Sequence, residues 1–412
     1  MSMQKGDRRI INGWAFYDWA NSVYPLVINT AIFPIYYSAV AGDSLQFLGV
    51  ELKSASLYSF TLALSYLVVV VLSPFLSGIA DYTGNKKRFM QFFCYLGALS
   101  CCGLFLFSMQ NLYLGLLFVM TASIGWSGSL VFYNAYLPEI AEPEDHDRVS
   151  AKGFSMGYVG SVLLLLVNLI MILFPSLLFD VEGKVQQLAL ESPTMAADDV
   201  RKAAESYYTG VASRISFIMV GIWWIGFSQV TFARLPNNVH NRKPEGNPLW
   251  MGFKELKQVW RQLQGQRLLK RYLGAFFVYS MAVQTVMLMA SIFGEQEVNM
   301  TTAELITTVL IIQLVAIPGA YGFAWLSKRM GNFNALKVAI AIWVAVCIGA
   351  YFVHVATEFY VIATVVGLIM GGTQSLSRST YSKYLPETED HASYFSFFDI
   401  CEKLGIVIGM GT

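Results

Sequence analysis

The heptapeptide Tyr133-Asn134-Ala135-Tyr136-Leu137-Pro138-Glu139 returns 248 residues later as Tyr381-Ser382-Lys383-Tyr384-Leu385-Pro386-Glu387. Each copy closes a long apolar segment and leads into a polar loop. A second pair, Gly84-Asn85 and Gly331-Asn332, stands 247 residues apart, again just after apolar segments. Two pairs at nearly one offset indicate an internal duplication. In an apolar chain, this pattern favours two parallel repeats that cross a membrane in the same direction.

The composition places the chain in a lipid bilayer. Of its 412 residues, 55% are hydrophobic and 13% are charged, whereas soluble domains carry about a quarter charged residues. The net charge of +1 gives no reason to expect a nucleic-acid partner. The five cysteines all lie in apolar segments and are expected to be buried thiols, not disulfides or metal ligands.

Eleven segments are apolar enough to span a bilayer, which takes about 20 residues per helix. They are 12–40, 56–80, 89–109, 112–137, 151–175, 213–235, 271–293, 302–327, 334–355, 358–385 and 395–412. We therefore predict an all-α integral membrane protein built from two six-helix bundles. The last segment is cut off by the end of the chain, so we expect a twelfth helix that this sequence lacks; a genuine eleven-helix protein is the alternative.

Three regions follow from these spans. Residues 1–235 are predicted to form the N-terminal six-helix bundle, and 271–412 the C-terminal bundle with five helices present. Between them, 236–270 is predicted to be a linker. It carries an apolar stripe at helical spacing with basic residues between, which indicates an amphipathic helix on the membrane surface or packed under the spans. The stripe comprises Leu249, Phe253, Leu256, Trp260 and Leu263. In the acidic stretch 176–212, we expect a short surface helix after Ser192-Pro193.

Basic residues set the predicted orientation. Most of the 28 Lys and Arg residues fall on one side of the predicted spans. The other side holds only Lys53, Lys184, Arg201, Lys202 and Arg214. Because Lys and Arg concentrate in cytoplasmic loops, we predict a multi-pass protein of the cell inner membrane with a cytoplasmic N-terminus.

The loop from Gly78 to Arg88, with sequence GIADYTGNKKR, resembles the G-x-x-x-D-x-x-G-[RK]-[RK] signature of the major facilitator superfamily, with one residue fewer at its start. Gly84 suits a tight turn with positive φ, and Asp81 suits a helix N-terminus. The resemblance implies a cytoplasmic latch between the two halves. The residues expected to form it are Asp81, Gly84, Lys86, Lys87 and Arg88. In the second half, Lys328 takes the place of Asp81, so only the first copy is expected to form the full latch.

Three further stretches resemble the vacuole-effluxer-like family within that superfamily. They are WAFYDWANS at Trp14–Ser22, RISFIMVGIWW at Arg214–Trp224 and GGTQSLSRS at Gly371–Ser379. This resemblance covers most of the chain and implies a twelve-helix secondary transporter. Its fungal members are associated with amino-acid export from the vacuole.

Polar side chains inside the spans are candidates for the solute and proton pathway, because ionisable residues in a bilayer are costly and usually functional. Asp18 either binds a proton or a substrate ammonium, or pairs with a basic group on a neighbouring helix. Tyr17, Asn21 and Tyr24 follow i, i+4, i+7 spacing and are therefore expected to share one face of the helix. We expect this polar face to line a central cavity. The other pathway candidates are Asn134, Gln284, Gln313 and Gln374.

A second set of residues is predicted to form the cytoplasmic gate. Arg378 could hold a carboxylate substrate, bridge to Asp18 or bridge to an acidic residue of the 139–147 loop; we favour bridging at the gate. Asp399 and Glu402 either carry a proton or belong to the gate, and we favour the gate. The paired heptapeptides are expected to close the same face. Their gate candidates are Tyr133, Tyr136, Glu139, Tyr381, Tyr384 and Glu387.

These patterns predict a proton-coupled secondary transporter with Asp18 as its leading proton carrier. An amino acid or small peptide is the favoured solute; a sugar transporter of the same fold, or a membrane sensor or scaffold that moves nothing, are the alternatives. No Walker A loop and no H-E-x-x-H motif is present, so we expect neither ATP hydrolysis nor another enzyme activity. We expect no cofactor and no metal. The expected partners are a small-molecule substrate and the lipid bilayer, with the protein a monomer.

Overall fold

A computed structural model describes residues 5–47, 49–236 and 248–411, apart from the side chains of residues 248, 249 and 411. Nearly all of the described chain is helical. The α-helices are α1 Arg8–Asn21, α2 Phe33–Ala41, α3 Ser54–Thr83, α4 Lys86–Gly103, α5 Leu112–Asn134, α6 Leu137–Ile140, α7 His146–Leu173, α8 Val181–Glu191, α9 Ala197–Arg234, α10 Pro248–Gly265, α11 Arg267–Gln296, α12 Thr302–Met330, α13 Asn332–Ala350, α14 Ala356–Lys383 and α15 His391–Gly411.

The first span combines three helical pieces. Between α1 and α2, Tyr24–Ala31 forms a π-helix with Pro25 near its start. A proline lacks the N–H that an α-helix needs and crowds the preceding turn, so a wider local geometry relieves it. The hydroxyl of Thr30 donates to the Pro25 carbonyl at 2.9 Å.

Local sequence explains where several spans start and stop. The Thr301 hydroxyl accepts from the Glu304 backbone N–H, and the Glu304 carboxylate accepts from that of Thr301, forming a capping box at the start of α12. At the ends of α3 and α12, Gly84 has φ 67° and Gly331 has φ 83°, values that a residue with a Cβ adopts at a cost. The positive φ expected of Gly84 is therefore present, and the same device recurs at the matching place in the second half.

Ten segments of the described chain are long and apolar enough to cross a membrane. They agree with the predicted spans to within a few residues at most ends. The eleventh predicted span corresponds to α15, which carries the charged residues Asp399, Glu402 and Lys403 within five positions and is not among these ten segments. Successive spans joined by short connections are antiparallel neighbours. We call the end of the bundle with the α3–α4, α12–α13 and α14–α15 connections the basic face.

The acidic stretch 176–212 differs from the prediction. Its short separate helix is α8, Val181–Glu191, which lies before Ser192-Pro193 and not after it. The Ala-rich run beyond Pro193 belongs to α9, a continuous helix of 38 residues. The sequence between residues 197 and 213 is Ala-rich and contains no proline, and the single Gly210 is tolerated, so the helix continues into the span. The only strands within the described ranges are the short hairpin of β1 Ser44–Phe47 and β2 Val50–Lys53.

Small residues let the spans approach closely, as is common in membranes. In the first half, a Cβ at Gly125 of α5 would collide with the backbone of Gly97 on α4. In the second half, a Cβ at Gly371 of α14 would collide with Ala316 on α12. Between the halves, α7 packs on α12 and α14, while α15 packs on α3 and α5. The central interface is therefore formed by these four contacts.

The linker helix α10 packs under the spans, which is one of the two placements that its amphipathic pattern predicts. Its Gly252 lies so close to Ile79 of α3 that a Cβ there would meet the Ile79 backbone nitrogen at 2.8 Å. On the other side, Trp260 lies 5.5 Å from Phe397 of α15. Trp250 is 68% exposed, a position that suits the interfacial zone of a bilayer. The linker residues 237–247 and the Leu249 side chain lie outside the described part of the chain.

Candidate functional site

Asp81 joins α3 to the start of α15. Its carboxylate oxygens accept from the backbone N–H groups of Ala392 at 3.2 Å and Ser393 at 2.7 Å. The first N–H groups of a helix have no partner within the helix and carry partial positive charge. A buried carboxylate at this point therefore binds the second half of the chain to the first. We call Asp81 and the N-terminus of α15 the first latch.

A buried ion pair lies beside the first latch. Lys86 pairs with Glu139, and both side chains are 3% exposed. His391 Nδ1 lies 2.8 Å from the same Glu139 carboxylate, and the Lys86 ammonium lies 5.5 Å from the centre of the Tyr136 ring. Glu139 therefore meets a cation of the first half and an imidazole of the second half at one point. The sequence reasoning did not identify His391.

The second half has a different latch at the matching place. Asp147, in the first turn of α7, accepts from Ser327 Oγ at 2.6 Å and from Asn332 Nδ2 at 2.7 Å. Lys383 Nζ lies 2.5 Å from the same carboxylate and donates to Asn332 Oδ1 at 2.9 Å. We call this group the second latch. Here the acidic group belongs to a helix start, and residues at the basic-face ends of α12, α13 and α14 supply the donors, which reverses the arrangement around Asp81.

Asp18 and Arg378 form a third buried contact between the halves. The Asp18 carboxylate lies 3.2 Å from Arg378 Nη1 and accepts from the Tyr133 hydroxyl at 2.8 Å. Asp18 is 4% exposed and Arg378 3%. Of the partners that the sequence suggested for Arg378, Asp18 is the one that it contacts in the structure. A charge pair in the bilayer needs every donor and acceptor satisfied to be tolerated.

The remaining donors of Arg378 are also satisfied. Its Nε donates to Ser150 Oγ at 3.0 Å, and Nη2 donates to the Ser150 carbonyl at 2.9 Å. The guanidinium carbon lies 4.1 Å from the Phe154 ring centre and 4.8 Å from that of Trp14. Aromatic faces attract cations most strongly when water is absent. Arg378 of α14 is thereby anchored to α1, α5 and α7.

A central cavity of about 320 Å³ lies above this pair, between the two sets of spans. Asp18, Asn134 and Arg378 line its end toward the basic face. At the opposite end lies Thr30, which is exposed. The cavity is therefore closed on the basic face by the ion pair and the two latches, and reaches solvent away from that face.

Most of the predicted pathway residues line this cavity. Besides Asp18 they are Asn21, Asn134, Gln284, Gln313 and Gln374. The Gln374 side-chain oxygen accepts from the Tyr158 hydroxyl at 2.6 Å. Tyr158 and Tyr279, both missed on sequence grounds, add hydroxyl groups to the wall.

Tyr17 and Tyr24 lie elsewhere. Tyr17 packs against Tyr133 and Phe232, and Tyr24 packs against Trp126 and Trp224, all within the first six spans. Neither lines the cavity. The face of the first span that does so carries Asp18, Asn21, Ser22 and Pro25. Tyr17 precedes Asp18 by one residue and is turned away by roughly 100°. The expected single face through Tyr17, Asn21 and Tyr24 is therefore displaced by one residue.

Asp399, Glu402 and Lys403 form a cluster on α15. Lys403 Nζ lies 2.7 Å from the Glu402 carboxylate and 3.6 Å from that of Asp399. Lys403 is fully buried and Asp399 is 5% exposed, whereas Glu402 lines the cavity. Because α15 begins at His391, four residues before the predicted start, Glu402 lies roughly 16 Å along the helix. Its gate role remains a prediction.

The other predicted gate residues have varied surroundings. Tyr381 donates to the Tyr394 carbonyl at 2.6 Å, and the Tyr384 ring stacks on Phe333 at 4.9 Å. On the first copy, Tyr136 donates to the Pro236 carbonyl at 3.0 Å, and Lys87 to that of Leu235 at 2.9 Å. Two of the predicted residues, Arg88 and Glu387, are exposed. The gate role of each remains a prediction.

Residues 6–411 match the family described as vacuole effluxer Atg22 like. The chain belongs to this family. An uncharacterized MFS-type transporter, YxiO of Bacillus subtilis, is 31% identical over 403 residues, which cover 97% of this chain and 86% of that relative. Autophagy-related protein 22-1 of Penicillium rubens is 22% identical, covering 91% of this chain and 73% of the relative.

Solved structures with the same fold are major facilitator transporters. FucP in its outward conformation has a TM-score of 0.68 at 13% identity, covering 98% of this chain and 90% of that chain. The human organic anion transporter MFSD10 has a TM-score of 0.60 at 11% identity, covering 98% and 91%. This Atg22-like chain is therefore a multi-pass membrane transporter of the major facilitator superfamily, and not an enzyme. Its partners are a small-molecule substrate and membrane lipid.

Proposed function

We propose that this chain is a secondary active transporter that carries a small polar solute, an amino acid or small peptide, by alternating access. The observation that supports the proposal is the central cavity between the two halves, closed on one face by three buried polar contacts. In alternating access the two repeats rock about a fixed site near the middle of the bilayer. In the present conformation the cavity would exchange solute with the side opposite the basic face.

The size and lining of the cavity favour a small polar solute. Its volume of about 320 Å³ lies at the small end of ligand pockets, which range from roughly 300 to 1,000 Å³. Amide groups of Gln284, Gln313 and Gln374 can donate to a carboxylate, and the carboxylate of Glu402 can accept from an ammonium group. A zwitterion would satisfy both kinds of wall, because each of its charged ends meets groups of the required type.

Asp18 and Arg378 serve as the gate in this proposal. They close the cavity toward the basic face, and both would become accessible once the halves part on that side. An ion pair that is satisfied in one conformation and hydrated in the other can be broken with a small net free-energy change, because water replaces the lost contacts. Each half keeps one member, Asp18 in the first and Arg378 in the second, so rocking separates them.

The remaining features of the proposal follow from the basic residues and the relatives. The basic face is placed in the cytoplasm on the positive-inside rule, with the protein in the cell inner membrane as a monomer. Export is the favoured direction, in line with the effluxer name of the family. Coupling to protons is proposed because ionisable side chains line and adjoin the cavity.

A sugar is the second candidate solute. Two structural neighbours are described as a fucose:proton symporter and a proton:xylose symporter. The cavity wall of this chain combines amides with aromatic rings, including Trp126, Phe154 and Tyr279. Sugars bind such walls through hydroxyl–amide hydrogen bonds and ring stacking. A charged Glu402 is the feature that distinguishes the two candidates, since a neutral sugar does not require it.

Counterflow in proteoliposomes tests this proposal without knowledge of the direction or coupling ion. Vesicles loaded with single amino acids, dipeptides or sugars are placed in the same radiolabelled solute, and uptake is followed. We expect uptake of an amino acid or dipeptide, lost in Glu402→Gln and unchanged in Lys328→Ala, whose side chain is exposed. Uptake of a sugar that survives Glu402→Gln would select the second candidate. Folded protein that exchanges none of these solutes would favour a sensor or scaffold.

A further inference from the structure

The cluster on α15 has an unusual charge balance for its depth. With all three groups ionised, Asp399, Glu402 and Lys403 carry two negative charges and one positive. Lys403 lies twelve residues after His391, or roughly 18 Å along the helix, and is fully buried. A net charge at that depth is costly. One additional proton would make the cluster neutral.

The two carboxylates have different surroundings. Glu402 lines the central cavity, so water and protons can reach it. Asp399 lies behind it, 5% exposed, and its Oδ2 has no hydrogen-bond partner among the described residues. A buried carboxylate oxygen without a donor is expensive when charged, and much less so when it carries a proton itself. A proton taken up at Glu402 from the cavity therefore has a second acceptor within the same cluster.

The cluster also contacts both halves. Lys403 belongs to the second half, yet its ammonium lies 5.0 Å from the Trp126 ring centre on α5 and 5.9 Å from that of Tyr66 on α3. On α11, the facing titratable group is Tyr279, and α10 meets α15 nearer its start through Trp260. Rocking of the halves would separate Lys403 from Trp126 and Tyr66. The charge state of the cluster and the conformation of the protein are thereby linked.

We propose that Asp399 and Glu402, held together by Lys403, carry the proton that drives transport, and that Asp18 does not. Asp18 already has a full counter-charge in Arg378 and a donor in Tyr133, so a proton there would break the gate. Glu402 exchanges the proton with the cavity, and Asp399 retains it while the conformation changes. This inference deepens the proposed function and rests on it for the link to transport.

Infrared spectroscopy of the purified protein in lipid nanodiscs tests the site without any solute. Difference spectra between acidic and alkaline pH report the C=O stretching band of buried protonated carboxyl groups. We expect this band in wild type, in Asp18→Asn and in the exposed-site control Asp199→Asn. We expect its loss in the double variant Asp399→Asn/Glu402→Gln. A band lost in Asp18→Asn and kept in the double variant would overturn the proposal.

Two controls keep the result interpretable. Thermal unfolding of each variant shows whether the band is lost through misfolding, and the conservative variant Asp399→Glu, which keeps both carboxyl groups, should retain it. Addition of sodium chloride at fixed pH should leave the band unchanged; its disappearance would mean that a sodium ion competes for the site, and would overturn the proton as the carried cation.

Transport assays separate this inference from the proposed function. With a solute identified by counterflow, we expect Asp399→Asn to abolish accumulation driven by a pH gradient, at least tenfold below wild type, while counterflow persists. Absence of all counterflow in wild type, with the infrared band present, would defeat the proposed function and leave the proton site. Accumulation that equals wild type in Asp399→Asn would defeat the proton site and leave the transporter.

Discussion

In the first half of the molecule, Glu139 is buried against Lys86 and His391, whereas Glu387, at the same place in the second copy of the heptapeptide, is exposed. The tyrosine three residues earlier packs in both copies against the residue that follows the glycine turn by two positions. Tyr136 faces the Lys86 ammonium, and Tyr384 stacks on Phe333. Phe333 stands 247 residues after Lys86, the offset of the two glycine turns. Duplication has therefore kept the packing of this corner while an ion pair was retained or acquired in one copy only.

The latches show the same divergence. In the first, Asp81 at the end of α3 accepts from the N-terminus of α15. In the second, Asp147 at the N-terminus of α7 accepts from Ser327 and Asn332. Both place a carboxylate in the positive potential of a helix start, but the carboxylate belongs to opposite partners. The halves of a symmetric fold can thus be fastened by different residues, and each fastening can be broken separately.

The largest expected effect of breaking this asymmetry is at Glu139. Glu139→Ala removes the carboxylate that pairs with Lys86, and breaking a buried ion pair destabilises proteins by up to roughly 3–5 kcal/mol. Asp81 also acts on the Lys86 charge and offsets part of this loss. The same change at Glu387 should cost less than about 0.5 kcal/mol, because exposed sites tolerate substitution. Unfolding by SDS titration in detergent micelles measures both.

A double variant sharpens this result. Lys86→Met/Glu139→Met removes both charges, and an apolar pair of similar volume often restores stability. We expect it to be more stable than Glu139→Ala. Equal stability of the Glu139 and Glu387 variants would show that the ion pair contributes nothing to the asymmetry.

The next largest effect concerns the second latch. Asp147→Ala should destabilise the protein by about 2 kcal/mol, since hydrogen bonds to charged groups contribute roughly 1.5–3 kcal/mol. The effect is smaller than at Glu139 because the Lys383 side chain is 19% exposed and can be hydrated. The same SDS titration checks the order of the two effects; a larger loss at Asp147 would reverse our ranking of the two latches.

Asp81→Asn should act on conformation more than on stability. The amide is a weaker acceptor for the α15 N–H groups, and the lost helix-terminus interaction amounts to about 0.5–2 kcal/mol. We expect the basic face to open more often. Spin labels at the exposed positions Arg88 and Glu387, in a background without native cysteines, report the distance between the halves.

The matched control is Lys328→Ala, at the equivalent position of the second half, which is exposed. Its distance distribution should equal that of wild type. A distribution for Asp81→Asn that does not differ from this control would rule out a latch role for Asp81.

The smallest effect is expected from rebuilding the missing pair. Phe333→Lys places an ammonium over Tyr384 in imitation of Lys86 over Tyr136. Glu387 is exposed, and exposed ion pairs contribute at most about 1 kcal/mol to stability. The substitution also removes the stacking of Phe333 on Tyr384, which offsets this gain. We expect little net change in SDS titration. A gain of more than about 2 kcal/mol would mean that Glu387 can be recruited into a buried pair.

Much of the fold could be predicted because spans depend on local properties of the chain. Apolar length, positive-φ glycines and the repeated heptapeptide are each readable within a few residues. The helix ends were less accurate at α15, where the start at His391 moved Glu402 deeper than expected. The extension of α9 was missed because its polar first turns resemble a surface helix.

The candidate site was harder to predict because its contacts are distant in sequence. Asp18 and Arg378 are 360 positions apart, and sequence reasoning could offer their pairing only among several. Neither His391 nor Asp147 belongs to a sequence motif. The one signal for Asp147 is its position at a helix start, where the helix dipole stabilises an acidic side chain. Tyr17 and Tyr24 were assigned to the cavity because the predicted cavity-lining face of the first span was displaced by one residue. The residues that follow them, Asp18 and Pro25, line the cavity instead.

The π-helix at Tyr24–Ala31 has a consequence for the comparison of relatives. Each of its hydrogen bonds closes a longer ring than in an α-helix, so each residue there advances the rotation by less. Helical-wheel diagrams drawn at one constant angle through the first span will therefore place α2 on the wrong side. Relatives that lack one residue in this segment would have a straight α-helix, and their cavity-facing positions after Pro25 should be assigned from a shifted register.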